Sequence, residues 1–199
     1  MKKIILILCV VLGAKSLYAQ HFNDSIAYSR LRLNDYAMQT LGTFAVANIA
    51  SGFILANNTN GEAKYFWRMN AYWNLANLGI AGLNLLQSHL MPAKRYSFSE
   101  NFKEQQKIEK TYVLNLGLDA GYITTGILLR SKGKIATDIN NQYQLKGYGS
   151  SIILQGALLG VMDIVMLSLH HKNTTRMNEK LDNLELTAAP GALALTYKF

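Results

Sequence analysis

Charged side chains are spread unevenly along this chain, and the gaps between them mark four long segments. Residues 36–61 and 69–93 carry none, residues 111–129 hold only Asp119, and residues 147–171 hold only Asp163. A transmembrane helix needs about 20 mostly apolar residues. A helix facing water would show charges on its outer face at helical spacing, and these segments stay uncharged on every face for several turns. The pattern predicts an all-α fold, a four-helix transmembrane bundle, antiparallel and up-down, with spans at about 36–57, 66–91, 110–130 and 147–171.

The flanking segments follow different patterns. Lys2 and Lys3 precede an apolar run from Ile4 to Gly13, and Leu17-Tyr18-Ala19 ends on a small residue, so residues 1–19 read as a signal peptide cleaved after Ala19. Residues 20–35 are polar and read as an exposed lead-in to the bundle at 36–171. Residues 172–199 read as an exposed tail. In it Asp182–Ala188 and Ala192–Phe199 alternate with the period of a strand around Pro190-Gly191, which predicts a β-hairpin.

The connections carry their own signals. Asn57-Asn58-Thr59-Asn60-Gly61 is a turn in which Asn and Gly tolerate positive φ, which makes the first two helices a hairpin. Pro92 ends the second helix. Ser97-Phe98-Ser99-Glu100 fits a capping box, so the third helix starts there and projects beyond its span. Residues 131–146 read as an exposed polar loop. A weak internal similarity places residues 48–55 over 122–129, which aligns Gly52 with Gly126.

Composition narrows the function classes. Charged residues make up 16% of the chain, against roughly 25% in soluble domains. The net charge is +8 and the pI about 9.5, but the basic residues sit beside apolar segments without aromatic interleaving. Membrane lipid is therefore the expected counterpart and nucleic acid is not. The single cysteine, Cys9, lies in the signal, so the mature chain has no disulfide and no thiolate nucleophile.

The polar residues inside the uncharged segments are the candidates for a site: Asn48, Asn74, Asn77, Asn84, Asn115, Asp119, Gln155 and Asp163. Asn70, Asn74, Asn77 and Asn84 fall on positions that repeat every three or four residues, with Ala81 filling the gap, and form a stripe on the second helix. Asn115, Asp119, Tyr122 and Gly126 share a face of the third, with Gly117 and Gly121 on the opposite face as a second interface. A carboxylate at membrane depth costs about 2.5–3.5 kcal/mol on insertion scales, so Asp119 and Asp163 are expected to face inward. Gly156-x-x-x-Gly160 beside Asp163 permits close helix approach.

Trp67, Trp73, Tyr65 and Tyr72 cluster with Lys64 and Arg68 at one span end and read as interfacial anchors. The histidines lack metal-ligand spacing, and no nucleophile elbow or phosphate loop is present, so no metal, cofactor or catalytic residue is expected. Phe66-Trp67-x-Met69-Asn70-x-x-Trp73-Asn74, Asn115-x-Gly117-Leu118-Asp119-x-Gly121-Tyr122 and Lys146-Gly147-x-Gly149-x-Ser151-Ile152-x-x-Gln155-Gly156 together make the chain resemble an uncharacterised family of small four-helix membrane proteins from Gram-negative bacteria. The resemblance implies a membrane fold and supplies no activity.

These patterns favour a non-enzymatic protein of the cell envelope, in the inner membrane before the outer, with a structural role or one in binding lipid, a protein partner or further copies of itself. A small transporter or channel-like protein using Asp119 and Asp163 is the alternative.

Overall fold

The computed structural model describes residues 2–90, 94–189 and 192–197, with side chains described for 20–90 and 94–183. The chain forms four helices, α1 (Lys2–Asn58), α2 (Gly61–Leu90), α3 (Phe98–Ile135) and α4 (Ile139–Asp182), followed by two short strands, β1 (Leu184–Ala189) and β2 (Ala192–Tyr197). All-α is therefore the class of the body of the chain. The strands pair antiparallel from Leu184 with Tyr197 to Ala189 with Ala192. Pro190 and Gly191, assigned to the turn, lie outside the described residues, as does Pro92.

Two compact units share these helices. One, called here the long unit, comprises Leu33–Pro92 and Lys110–Leu167. In it α1 and α2 run antiparallel, since Asp35 accepts a hydrogen bond from Ser88 while Asn48 meets Asn70 and Gly52 meets Ala71. The turn between them follows the chemistry of its residues. Asn58 Nδ2 and Thr59 Oγ1 donate back to the carbonyls of Ile54 and Leu55 in the last turn of α1. Gly61 then takes φ +59° to start α2.

Helices α3 and α4 are antiparallel as well, with Gly126 against Gly149 and Asp119 against Gly156. A Cβ on Gly126 would stand 2.5 Å from the Gly149 carbonyl oxygen, so both positions require glycine for the backbones to meet. Gly52 does the same between α1 and α2, where a Cβ would lie 2.9 Å from the Trp67 carbonyl oxygen. The two glycines aligned by the weak internal similarity thus serve the same packing purpose. Gly117 and Gly121 have nothing within 4 Å, so the second interface expected on α3 has no partner among the described residues. The aromatic residues read as anchors also pack between helices: Trp73 meets Tyr122 edge-on at 4.7 Å and Tyr65 meets Tyr148 at 5.8 Å.

The other unit, called here the terminal unit, comprises Met1–Arg32, Ala93–Glu109 and Ser168–Phe199. It corrects two expectations. Residues 20–35 are not an exposed lead-in: Asn23, Ile26, Ala27 and Arg30 recur at helical spacing and are buried. Residues 172–199 are not wholly an exposed tail, because α4 continues to Asp182 with Asn173, Thr174 and Met177 buried. The physical reason is mutual cover. Asn23 bonds to Asn101 of α3, and Ser29 donates to Asn173 of α4, so three polar stretches shield one another.

The loop expected at 131–146 is mostly helical. Only residues 136–138 separate α3 from α4, and the Asp138 carboxylate accepts from the backbone N–H of Asn141 at 2.7 Å to cap α4. The capping box at α3 forms as the sequence predicts. Glu100 accepts from the Ser97 backbone N–H at 2.9 Å, and the Glu100 N–H donates to Ser97 Oγ at 3.3 Å.

Packing and capping each yield a test. Gly126→Val is expected to destabilise the solubilised protein by about 1–3 kcal/mol or to block folding, while Gly117→Ala changes its thermal midpoint little. The Ser97 backbone bond, the Ser97 hydroxyl and Lys94 hold the Glu100 carboxyl below its ordinary value of 4.5. Stability linked to a lowered carboxyl is present above its unfolded value and lost as pH falls through the folded one. The midpoint gap between wild type and Glu100→Gln, followed from pH 7 down to pH 3, should therefore close on acidification.

Candidate functional site

The interior of the long unit is built from small and polar side chains. Ala45, Ala56, Ala71 and Ala81 are buried there with Asn70, Asn74, Asn77, Asp119, Ser151, Gln155 and Asp163. Alanine permits close helix approach, and close approach lets short amides reach across. Gln155 Nε2 on α4 donates to Asn70 Oδ1 on α2, and Asn70 Nδ2 donates to Asn48 Oδ1 on α1 at 2.8 Å. Asn48 in turn donates to the Phe44 carbonyl, and Asn74 to the Asn70 carbonyl. One amide chain therefore links three helices, and Asn77 extends it with a long bond of 3.4 Å to Asn74.

The second cluster lies between α3 and α4. Asp119, Asn115 and Tyr112 lie within electrostatic reach of Asp163, so the two carboxyl groups are near one another, as the alternative involving both requires. The second Asp119 oxygen, Oδ2, is buried without a hydrogen-bond partner among the described residues, and so are Ser151 Oγ and Gln155 Oε1. Gly160 lies beside that oxygen, with its notional Cβ 3.6 Å away.

Of the eight residues named from sequence, Asn74, Asn77, Asp119, Gln155 and Asp163 are buried, and Asn48 and Asn115 are half-buried. Asn84 is exposed, and its side chain meets Asn34 at 3.5 Å. It keeps its place on the stripe but sits in the last two turns of α2, where the cover over Asn70 and Asn74 does not extend. Periodicity assigns a face, whereas depth depends on which neighbouring helix overlies it.

Sequence reasoning missed a polar cluster in the terminal unit. Arg30, Asn101, Gln105, His170, Asn173 and Thr174 are all buried. Gln105 Nε2 donates to the His170 carbonyl at 2.8 Å, and the Glu109 carboxylate accepts from Thr174. The available signal was the spacing of Asn23 and Arg30, of Asn101 and Gln105, and of His170, Asn173 and Met177, each set compatible with one helix face. Polarity alone pointed to water instead.

At the far end of the long unit, Arg130 donates to Glu62 at 2.9 Å and to Ser150, which ties α3 to the first turn of α2 and to α4. Glu62 also suits the positive end of its own helix dipole.

Residues 40–164 match the model of a family of unknown function, DUF6992. No curated protein and no solved structure matches the chain. The matched stretch contains all eight polar residues named from sequence and leaves out most of the terminal unit.

If the amide chain fastens the helices, Asn70→Ala should lower unfolding stability in detergent by about 1–2 kcal/mol, because it removes the bonds to Gln155 Nε2 and to Asn48 Oδ1. Asn84→Ala should stay within about 0.5 kcal/mol of wild type in the same titration.

Proposed function

This chain belongs to that family of unknown function, and we propose that it is a non-enzymatic integral membrane protein of the cell envelope. Its four helices cross the bilayer up and down, and its polar interior holds them together. The observation that carries this reading is an inverted distribution of polarity. Of the exposed large hydrophobic side chains among the described residues, all but Tyr28, Leu31 and Leu181 belong to the long unit, whose buried groups are mostly amides, carboxyls and alanines, with Leu41, Tyr112, Ile152 and Met166 among them. Water would reverse that arrangement; lipid favours it.

Three helical stretches, Gln20–Asn58, Phe98–Ile135 and Ile139–Asp182, are long and apolar enough to cross a membrane. Helix α2 is not among them, since its asparagines dilute its average. Its exposed residues nevertheless include Leu75, Ile80, Leu83, Leu86 and Leu90, and its asparagines at 70, 74 and 77 are turned inward. An average over all faces understates a helix with three of its asparagines covered, so α2 is the fourth span. Residues 1–19 serve as a signal peptide, the β1–β2 hairpin remains outside the bilayer, and lipid or a partner protein contacts the exposed surface. An apolar surface on helices suits the inner membrane, where spans are helical.

A second reading rests on one specific observation, the proximity of Asp119 and Asp163. Two neighbouring carboxyl groups inside a bundle are a suitable centre for proton-coupled transport.

Fractionation with mass analysis of the N-terminus tests the first reading. Recovery from the inner-membrane pool with Gln20 as first residue is expected, and recovery as a soluble protein would overturn it. Asp119→Asn separates the two roles: as glue, the amide leaves abundance and thermal midpoint near wild type, and as a proton site it abolishes pH-driven flux in proteoliposomes. Unchanged flux in that variant would remove the transport reading.

A further inference from the structure

Cleavage after Ala19, the signal-peptide reading on which this inference rests, makes Gln20 the first residue of the mature chain. One residue then carries both a free α-amine and a side-chain amide. An unprotonated amine is a nucleophile, and with an ordinary α-amino pKa of about 7.7–8.0 roughly a tenth of it is unprotonated at neutral pH. The carbonyl carbon of its own side chain, Cδ, is reached by closing a five-membered ring. The reaction is intramolecular and needs no encounter with a second reactant.

The structure adds a carboxyl group at the atom that would depart. Gln20 Nε2 donates to Asp24 Oδ1 at 2.7 Å, one turn further along α1. Asp24 is exposed and Gln20 half-buried, so closing the ring displaces no core packing. The turn that carries Asp24 is itself anchored. Asn23 Nδ2 donates to the Tyr96 carbonyl, Asn23 Oδ1 accepts from Asn101 Nδ2 at 2.8 Å, and Ile26 and Ala27 are buried. Removal of residues 1–19 therefore leaves a helix start tied down within its first turn, with the Gln20 amide beside a carboxyl group. Once the α-amine has added to Cδ, both nitrogens are bonded to that one carbon. A carboxylate at Nε2 can take a proton from the attacking nitrogen through one oxygen and give it to the departing nitrogen through the other. Charge favours the same outcome. A helix N-terminus carries about half a positive charge, which opposes an ammonium at Gln20 and leaves a neutral lactam unaffected.

We infer that the mature chain begins with pyroglutamate, formed at Gln20 by its own α-amine with Asp24 as the proton-transfer group. The bond from the α-nitrogen to Cδ forms, the bond from Cδ to Nε2 breaks, and a proton from the amine leaves with Nε2 as ammonia. No oxidant, reductant or co-reactant is consumed. The product has no free amine, which closes the chain to aminopeptidases and removes one positive charge from the start of α1.

The test uses the full-length precursor, expressed, exported and recovered from the envelope. Its amines are dimethylated before digestion, and the N-terminal peptide is read by mass spectrometry, so that ring closure during handling is not mistaken for the native state. The peptide is expected to begin at Gln20, to carry no label on its α-nitrogen and to be lighter by one ammonia than the open form. In Gln20→Ala, which keeps the amine and lacks the amide, the same peptide should be labelled. A labelled, open Gln20 in the wild type overturns the inference and leaves the signal-peptide reading standing, whereas any other first residue overturns both. Pulse-labelled chains test Asp24. The half-time of ammonia loss should lengthen severalfold in Asp24→Ala and return towards the wild-type value in Asp24→Glu. Equal half-times in the three proteins would strike Asp24 from the reaction.

Discussion

The bond from Gln155 to Asn70, continued to Asn48, requires three helix backbones to come close enough for short amides to touch. The other features of the long unit follow from that closeness. Alanine fills the space between helices, and glycine stands where backbones meet, at Gly52 against α2, Gly147 against the first turn of α2 and Gly126 against α4. Leucine or isoleucine at those points would separate the helices beyond amide reach. Large apolar side chains are consequently displaced outward, as Leu83, Leu114 and Val161 show.

That outward displacement is compatible with lipid as the surroundings. Between helices in lipid there is little hydrophobic drive, so close packing and interhelical hydrogen bonds must supply the cohesion. Each such bond contributes modestly, about 0.6–2 kcal/mol, and a connected chain of them also fixes which residues face one another. The carboxyl groups of Asp119 and Asp163 extend the same solution to groups that cost more to bury, by lying within electrostatic reach of each other.

The terminal unit uses a different chemistry. Its buried polar groups include Arg30, and its contacts pair side chains with backbone carbonyls as often as with side chains: Arg30 with the Asn101 carbonyl, Asn101 with the Asn23 carbonyl, Gln105 with the His170 carbonyl. Basic side chains cover its rim, with Arg176 and Lys180 near the Phe22 ring. Polar interior and charged exterior together match a segment in contact with water or lipid headgroups.

Much of this was written locally in the chain. The Asn-rich turn, the Ser97–Glu100 cap and the inward stripe of Asn70, Asn74 and Asn77 all rest on interactions within one turn or on a helical face, which spacing alone determines. Whether a face is covered is a non-local property, and there the tertiary structure decided. It exposed Asn84, left Gly117 and Gly121 without a neighbour among the described residues, brought Asp163 near Asp119, and buried Arg30 and Asn173 in stretches whose polarity pointed to water. A residue's side of a helix is set by 3.6 residues per turn; what lies against that side is set by helices distant in sequence.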